Sequence, residues 1–325
     1  MAHPFDEDPI LVEVVRNGFV ESVHRGRVVV TGSSGEVVSS VGAASALMYP
    51  RSSAKPLQAV GMLRRGLALP DRLLAVVTAS HSGEPFHCAG VQEILSMSQL
   101  DETALQNPPG WPLDEVAKEA AIRSGTGPTA LAMNCSGKHA GMLATTVLNG
   151  WDPTTYGDPA HPLQMSLRDT IDELAGERTV DPAVDGCGAP LFGITLVGLA
   201  RAFGRIAAGA DLHSRQLADA VRSHPEWASG SRREEAALHR AIPGLFCKAG
   251  AEGVHAAGLP DGRGIAVKIS DGSQRARDVA MAGVLQRLGF GHHTLEVQAA
   301  LPVLGNGQRV GEVRPYRATL SLIGS

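Results

Sequence analysis

Five short segments of this sequence hold the side chains that could do chemistry. The first is Arg51-Ser52-Ser53-Ala54-Lys55-Pro56, in which Ser52 and Lys55 stand three apart. On a helical turn that spacing puts both on one face. A serine hydroxyl is a poor nucleophile until a base takes its proton. Lysine serves as that base only where burial or a nearby cation lowers its pKa. Ser-Lys pairs are an established variant of nucleophilic catalysis. A capping serine and a solvated lysine would give the same pattern, and Ser53 could equally be the capping hydroxyl. The second segment, Thr78-Ala79-Ser80-His81-Ser82-Gly83-Glu84, sets hydroxyls, an imidazole and a carboxylate after the apolar run Leu73–Val77. It reads as a polar cluster at the end of a buried element, or as a plain helix C-terminus and turn.

The third segment is Met133-Asn134-Cys135-Ser136-Gly137-Lys138-His139. Its Gly-Lys pair is no phosphate loop, because position 139 is His and position 132 is Ala rather than Gly. Cys135 and Lys138 could instead face one cavity at a helix start. The fourth, Asp185-Gly186-Cys187-Gly188-Ala189-Pro190, is a tight turn that exposes backbone around a thiol. If Cys187 approaches Cys135, two soft ligands become available for zinc, with Lys138, His139 or Asp185 as a third. In the fifth, Lys248 ends a strand and Gly250 follows, so a cation stands where a ligand can come close to backbone. A surface strand lysine would look the same.

These pieces must be carried by elements of two kinds. Residues 10–48 hold short β-branched runs, Ile10–Val15, Arg27–Thr31 and Glu36–Val41, broken by turns such as Asn17-Gly18. Helical periodicity begins at Ser53–Arg65, with Pro56 suited to a first turn. It continues through candidate helices at 71–79, 86–99, 113–124, 138–148, 162–176, 192–208, 213–223 and 231–241. Strands return at Leu245–Lys248, Gly253–Ala257 and Gly264–Ile269. Helices follow near 274–289 and 294–300, and a last strand lies within Glu312–Leu322. The pattern predicts an α/β fold: an antiparallel sheet built from both chain ends, about 10–50 and 243–325, with a helical lobe, about 57–242, inserted in one domain.

The 325 residues are 43% hydrophobic and 19% charged, with a net charge of -4, as in an ordinary globular chain. The charge balance speaks against a nucleic-acid partner. No apolar stretch is long enough for a membrane span, and the acidic start, Met1–Asp8, lacks the features of a signal peptide. A cytoplasmic protein is expected. The four cysteines are widely spaced and are then more in keeping with core, metal-ligating or reactive thiols than with disulfides.

Taken in order, Arg51–Gln58, Ala79–Glu84, Asn134–His139, Asp185–Cys187 and Lys248–Ala251, with His224-Pro225-Glu226 and Val267–Gly272, resemble the bacterial asparaginase II family of the Rhizobium etli type. The resemblance runs from about residue 10 to 290. It implies a fold similar to serine β-lactamases and serine-dependent glutaminases. It implies two catalytic Ser-Lys pairs, Ser52 with Lys55 and Ser80 with Lys248, and a zinc position among Cys135, Lys138 and Cys187, with Asp185 beside it. Arg51, Asp185 and His139 are the candidates for holding substrate. The chemistry implied is amide hydrolysis of L-asparagine by acyl transfer, without an organic cofactor, in a homodimer. Glutamine or a β-lactam is the rival substrate, and a non-catalytic amino-acid or zinc-binding protein is the rival of another class. The sequence departs from the family at Ser53 and Gly188, and residues 188–222 match only loosely.

Overall fold

The computed structural model describes residues 8–324, so the acidic start, Met1–Glu7, lies outside the described residues. Contacts divide the chain into two compact units. One comprises residues up to Ser53, Ile194–Ala208 and the chain from Ala237; the other comprises Ala54–Gly193 and Gly209–Ala236.

The first unit is built on an eight-stranded sheet. Its strands are β1 (Ile10–Arg16), β2 (Phe19–Thr31), β3 (Val37–Val41), β4 (Phe246–Gly250), β5 (Val254–Gly258), β6 (Gly264–Ile269), β7 (Leu301–Gly305) and β8 (Gln308–Pro315). The order is β7-β8-β1-β2-β6-β5-β4, with β3 also pairing to β2, and every pairing is antiparallel. The sheet therefore joins both chain ends. Asn17 and Gly18 take φ 47° and 82°, the left-handed pair that a two-residue hairpin requires. The long strand β2 pairs with β1 through its first half and with β6 through its second. At the changeover, a Cβ on Gly26 would stand 2.3 Å from Lys268 O, so only glycine lets the strands close there.

One face of this sheet receives the helix Leu196–Ala208. Its approach is backbone to backbone: a Cβ on Gly264 would meet Ala200 O at 1.9 Å, and one on Gly258 would meet Phe203 O at 2.1 Å. The sequence reading set this helix in the helical segment, but its packing is with the sheet. The helix Gln274–Arg287 supplies Ala276, Val279, Ala280 and Val284 to a core shared with Val12, Val28, Ile265 and Val267. Two details differ from the sequence reading. Leu301–Gly305 is a strand that it did not contain, and the terminal strand spans Gln308–Pro315, after which Arg317–Leu320 turns helical.

The second unit is helical. Lys55–Arg64 packs on Pro162–Ala175, Asp71–Thr78 on Leu212–Ser223, and Pro85–Met97 on Ser136–Leu148. The run Leu73–Val77 is fully buried. Small residues allow these crossings: a Cβ on Gly137 would lie 2.4 Å from Val76 O. Among the described residues, no helix is long and apolar enough to cross a membrane.

Candidate active site

In the helical unit, Lys55 opens its helix, with Pro56 in the first turn where a missing N–H costs no hydrogen bond. Its side chain is 1% exposed. The Nζ donates to Ala79 O at 2.6 Å, reaches Ser80 Oγ at 3.1 Å and lies 3.5 Å from Asn134 O. Ser80 is held because Ala79, capping the helix Asp71–Thr78, turns extended (φ -73°, ψ 148°). The backbone beyond is tied down on both sides: His81 N–H donates to Asn134 O at 3.1 Å, and Ser82 N–H donates to Ser229 O at 2.9 Å.

The remaining polar groups of the 79–84 loop brace it. His81 Nδ1 accepts from Gly83 N–H at 3.2 Å. The ring proton is therefore on Nε2, which donates to Ser136 Oγ at 2.8 Å, and that hydroxyl donates to Leu131 O at 2.8 Å. Burial first, then the nearby His87 and Lys55, hold the His81 imidazole well below its usual pKa. Glu84 accepts from Ser82 Oγ at 2.7 Å, from Ser231 N–H at 2.9 Å and from the Ser231 hydroxyl. Burial pushes its carboxyl up, but the hydrogen bonds from Ser231 and Ser82 outweigh this and leave its pKa lowered. Glu84 is thus an ionised clamp rather than a proton donor.

The same unit holds the two thiols. Cys135 caps the helix Ser136–Leu148, and Cys187 sits in the tight turn where Gly188 takes φ 88°. They form one buried cluster with Ala189 and Met133. Lys138 Nζ donates to Cys187 Sγ at 3.0 Å, and the Cys187 thiol points to Asp185 Oδ2 at 3.8 Å. The interaction with Cys187, against burial and with help from Lys55 and Lys138, pulls the Cys135 thiol well down. That same interaction, together with burial, pushes Cys187 up. Burial would neutralise Lys138, but the two sulfurs reverse this and its pKa is raised. His139 Nδ1 meets Tyr156 OH at 2.7 Å, while that hydroxyl accepts from Gln106 N–H at 3.1 Å. Tyr156 thus ties His139 to the Gln106 backbone. Burial lowers the His139 pKa to about 4 and pushes that of the Tyr156 hydroxyl up.

Arg51–Ala54 forms a single 3-10 turn, of which Arg51, Ser52 and Ser53 belong to the sheet unit. Arg51 takes φ 51°, an uncommon conformation for a long side chain, immediately before Ser52. Its guanidinium lies 3.8 Å from Glu252 Oε1. Ser53 is fully buried, and its hydroxyl donates to Lys248 O at 3.0 Å. Ser52 is half-buried. Lys248 is 3% exposed on β4, its Nζ donating to Ala249 O at 2.7 Å.

Within the helical unit, then, the residues singled out from sequence fall into two groups, Lys55 with Ser80, and Cys135, Lys138, His139, Asp185 and Cys187. Arg51, Ser52 and Lys248 belong to the sheet unit. Sequence reasoning missed the carbonyls of Ala79 and Asn134, which orient Lys55, and it missed Tyr156, which fixes His139. Backbone acceptors have no residue-type signal, and Tyr156 lies in a turn-rich stretch that offers none.

Solved structures resemble this chain distantly. A beta-lactamase, Mb2281c, from Mycobacterium bovis is 16% identical, over 80% of this chain and 94% of that one, with TM-score 0.45. Mglu in its native form is 14% identical over 87% and 66%, with TM-score 0.48. The D-alanine carboxypeptidase AmpC from Burkholderia cenocepacia is 15% identical over 85% and 92%, with TM-score 0.37. At these values the likenesses assign neither a reaction nor a substrate. Among curated proteins, none matches the chain. The family model for L-asparaginase II, by contrast, matches residues 12–315, close to the whole length. The chain belongs to the L-asparaginase II family and is a hydrolase that acts on amide bonds of a small molecule.

Proposed function

We propose that this amidohydrolase acts on L-asparagine, releasing aspartate and ammonia by acyl transfer through serine. The observation that carries the chemistry is the placement of Lys55. Its amine is buried and faces Ser80 Oγ at 3.1 Å, while Ala79 O and Asn134 O engage its other positions. A base placed within about 3 Å of a hydroxyl is the geometric requirement for general-base help. Ser52 is the attacking hydroxyl. It stands three residues before Lys55, and its neighbour Ser53 is engaged at Lys248 O. The Ser52 oxygen attacks the side-chain amide carbon as its proton passes to Lys55. Ser80 and Lys248 relay a proton to the departing nitrogen, which leaves as ammonia. Water then cleaves the acyl ester, and the serine recovers its proton. Arg51 is suited to the substrate carboxylate, in exchange for Glu252; Asp185 and His139 take the remaining polar groups.

Zinc suits the donor chemistry around Cys135 and Cys187. Two thiols, one of them readily ionised, are soft ligands. Among the described residues no group of three His, Cys, Asp or Glu side chains is placed to hold a metal ion, so Lys138 would complete the set, and only on giving up the proton that the two sulfurs hold on it. Bound there, zinc would supply positive charge that orients a polar substrate. A homodimer in the cytoplasm completes the reading.

The test compares ammonia release from asparagine and from glutamine by the wild type, Ser52→Ala and Ser80→Ala. Asparagine is the preferred substrate, and both variants lose turnover by roughly a hundredfold or more, as expected for removal of a nucleophile or a proton relay. Near-wild-type turnover in Ser52→Ala would remove it as nucleophile and leave Ser80 in that role. A preference for glutamine would overturn the substrate assignment.

A further inference from the structure

A buried ion pair in the sheet unit lies outside the residues named above. Arg277 and Asp278, on the helix Gln274–Arg287, are 5% and 7% exposed. Arg277 Nε and Nη2 grip the two carboxylate oxygens of Asp278 at 2.8 and 2.9 Å. His255, fully buried on β5, brings its Nδ1 to 3.4 Å from the same carboxylate. The third guanidinium nitrogen, Nη1, donates to Gly250 O at 2.9 Å. Burial pushes the Asp278 carboxyl up, but His255 and Arg277 outweigh it and keep the group ionised.

Anchoring a helix to a sheet does not require this arrangement. Two apolar side chains of similar volume would do as well, because desolvation cancels most of what a buried pair gains. What the ionic arrangement adds is the hydrogen bond to Gly250 O. Gly250 ends β4, which among the described residues pairs on one side only and forms an edge of the sheet. The strand end is also crowded: a Cβ on Gly250 would stand 2.7 Å from Pro50 O and 3.0 Å from Ser53 Oγ. Two residues earlier, Lys248 O accepts the Ser53 hydroxyl. The end of β4 and the turn bearing Ser52 therefore fit one another closely.

We propose that Arg277, oriented by Asp278, is a positioning residue: through Gly250 O it fixes the end of β4, which carries Lys248, and with it the 3-10 turn that presents Ser52. This rests on the reading above of Ser52 and Lys248 as working residues. The device is mechanical, since the guanidinium fork has one arm to spare beyond its carboxylate partner and only arginine offers that geometry.

The test pairs Arg277→Met with Asp278→Leu, which removes both charges together and avoids stranding a buried carboxylate. Arg277→Lys is the second variant; it keeps a cation but cannot span Asp278 and Gly250 O at once. Each is assayed for kcat and KM on asparagine, and for amide hydrogen exchange at residues 50–54 and 246–251. The expected result is a folded protein with a kcat lowered tenfold or more, a KM within threefold, and exchange faster by tenfold or more in both segments. Unchanged exchange in either folded variant overturns the proposal, as does unchanged kcat in an active enzyme. If the wild type itself releases no ammonia from asparagine, the functional reading fails, and the exchange measurement still decides whether Arg277 holds the turn.

Discussion

Acid should destabilise this protein through His87 well before carboxylates are protonated. The imidazole is fully buried on the helix Pro85–Met97, 4.0 Å from the Phe86 ring and stacked at 5.1 Å on His81. Its Nε2–H donates to Glu226 O at 3.0 Å, and its Nδ1 is buried without a partner. A second proton would have to go to Nδ1, where nothing receives it. Burial lowers the pKa from 6.5 to about 4, against the weaker pull of Glu226 and Glu84. The unfolded chain thus binds this proton at a higher pH than the folded one. Stability is complete above 6.5 and falls as the pH drops from there to about 4. At about 1.4 kcal/mol per pKa unit, the loss is about 3 kcal/mol. For a chain of this size that lowers the thermal midpoint by roughly 4–5 °C. The assay is thermal unfolding followed by circular dichroism between pH 7 and 4, for wild type and His87→Gln, which does not titrate. Other groups, His139 among them, add to the slope in both proteins, so the difference between the two curves isolates His87. Parallel curves, or an NMR titration of His87 with a midpoint near 6.5, would refute the reasoning.

Two further outcomes follow from packing. Ser53→Ala removes the buried hydrogen bond to Lys248 O, which costs about 0.5–1.5 kcal/mol in urea unfolding, and it lowers turnover per folded molecule because the turn that bears Ser52 loses its tie to β4. Gly264→Ala forces a methyl against Ala200 O, where an ideal Cβ would stand at 1.9 Å; the strand or the helix Leu196–Ala208 must move, lowering stability by about 1–3 kcal/mol or more in the same assay.

The sheet was largely legible in the sequence because its strands are β-branched runs between turn residues. Gly264–Ile269 has the bounds its composition suggests, and Asn17-Gly18 makes the expected hairpin. Leu301–Gly305 escaped because Pro302 argues against a strand. The proline is tolerated since β7 lies at the edge of the sheet, where one side needs no partner. A second left-handed pair, Asn306 and Gly307 at φ 49° and 76°, was the available signal for this hairpin. The helix Leu196–Ala208 was legible as a helix but not in its allegiance. That allegiance depends on Gly258 and Gly264, more than fifty positions later in the chain, whose lack of side chains invites a close backbone approach.

The site was legible in its residue types but not in its pairings. Ser52 and Ser53 are neighbours of the same type, and no periodicity separates a free hydroxyl from a buried one; the distinction comes from Lys248 O, nearly two hundred residues away. The contact of Lys55 with Ser80 arises because the helices Lys55–Arg64 and Asp71–Thr78 pack together, which brings the Ala79–Ser80 corner onto the start of the first. That corner also bears on the chemistry. A neutral amine has two N–H bonds and one lone pair. Ala79 O and Asn134 O offer places for the two N–H bonds, and the position left over faces Ser80 Oγ. An ammonium in the same place donates to all three. The nitrogen therefore keeps the same orientation toward Ser80 Oγ in either state. Backbone carbonyls, which the fold cannot easily withdraw, supply that constancy in a way that a pair of mobile side chains would not.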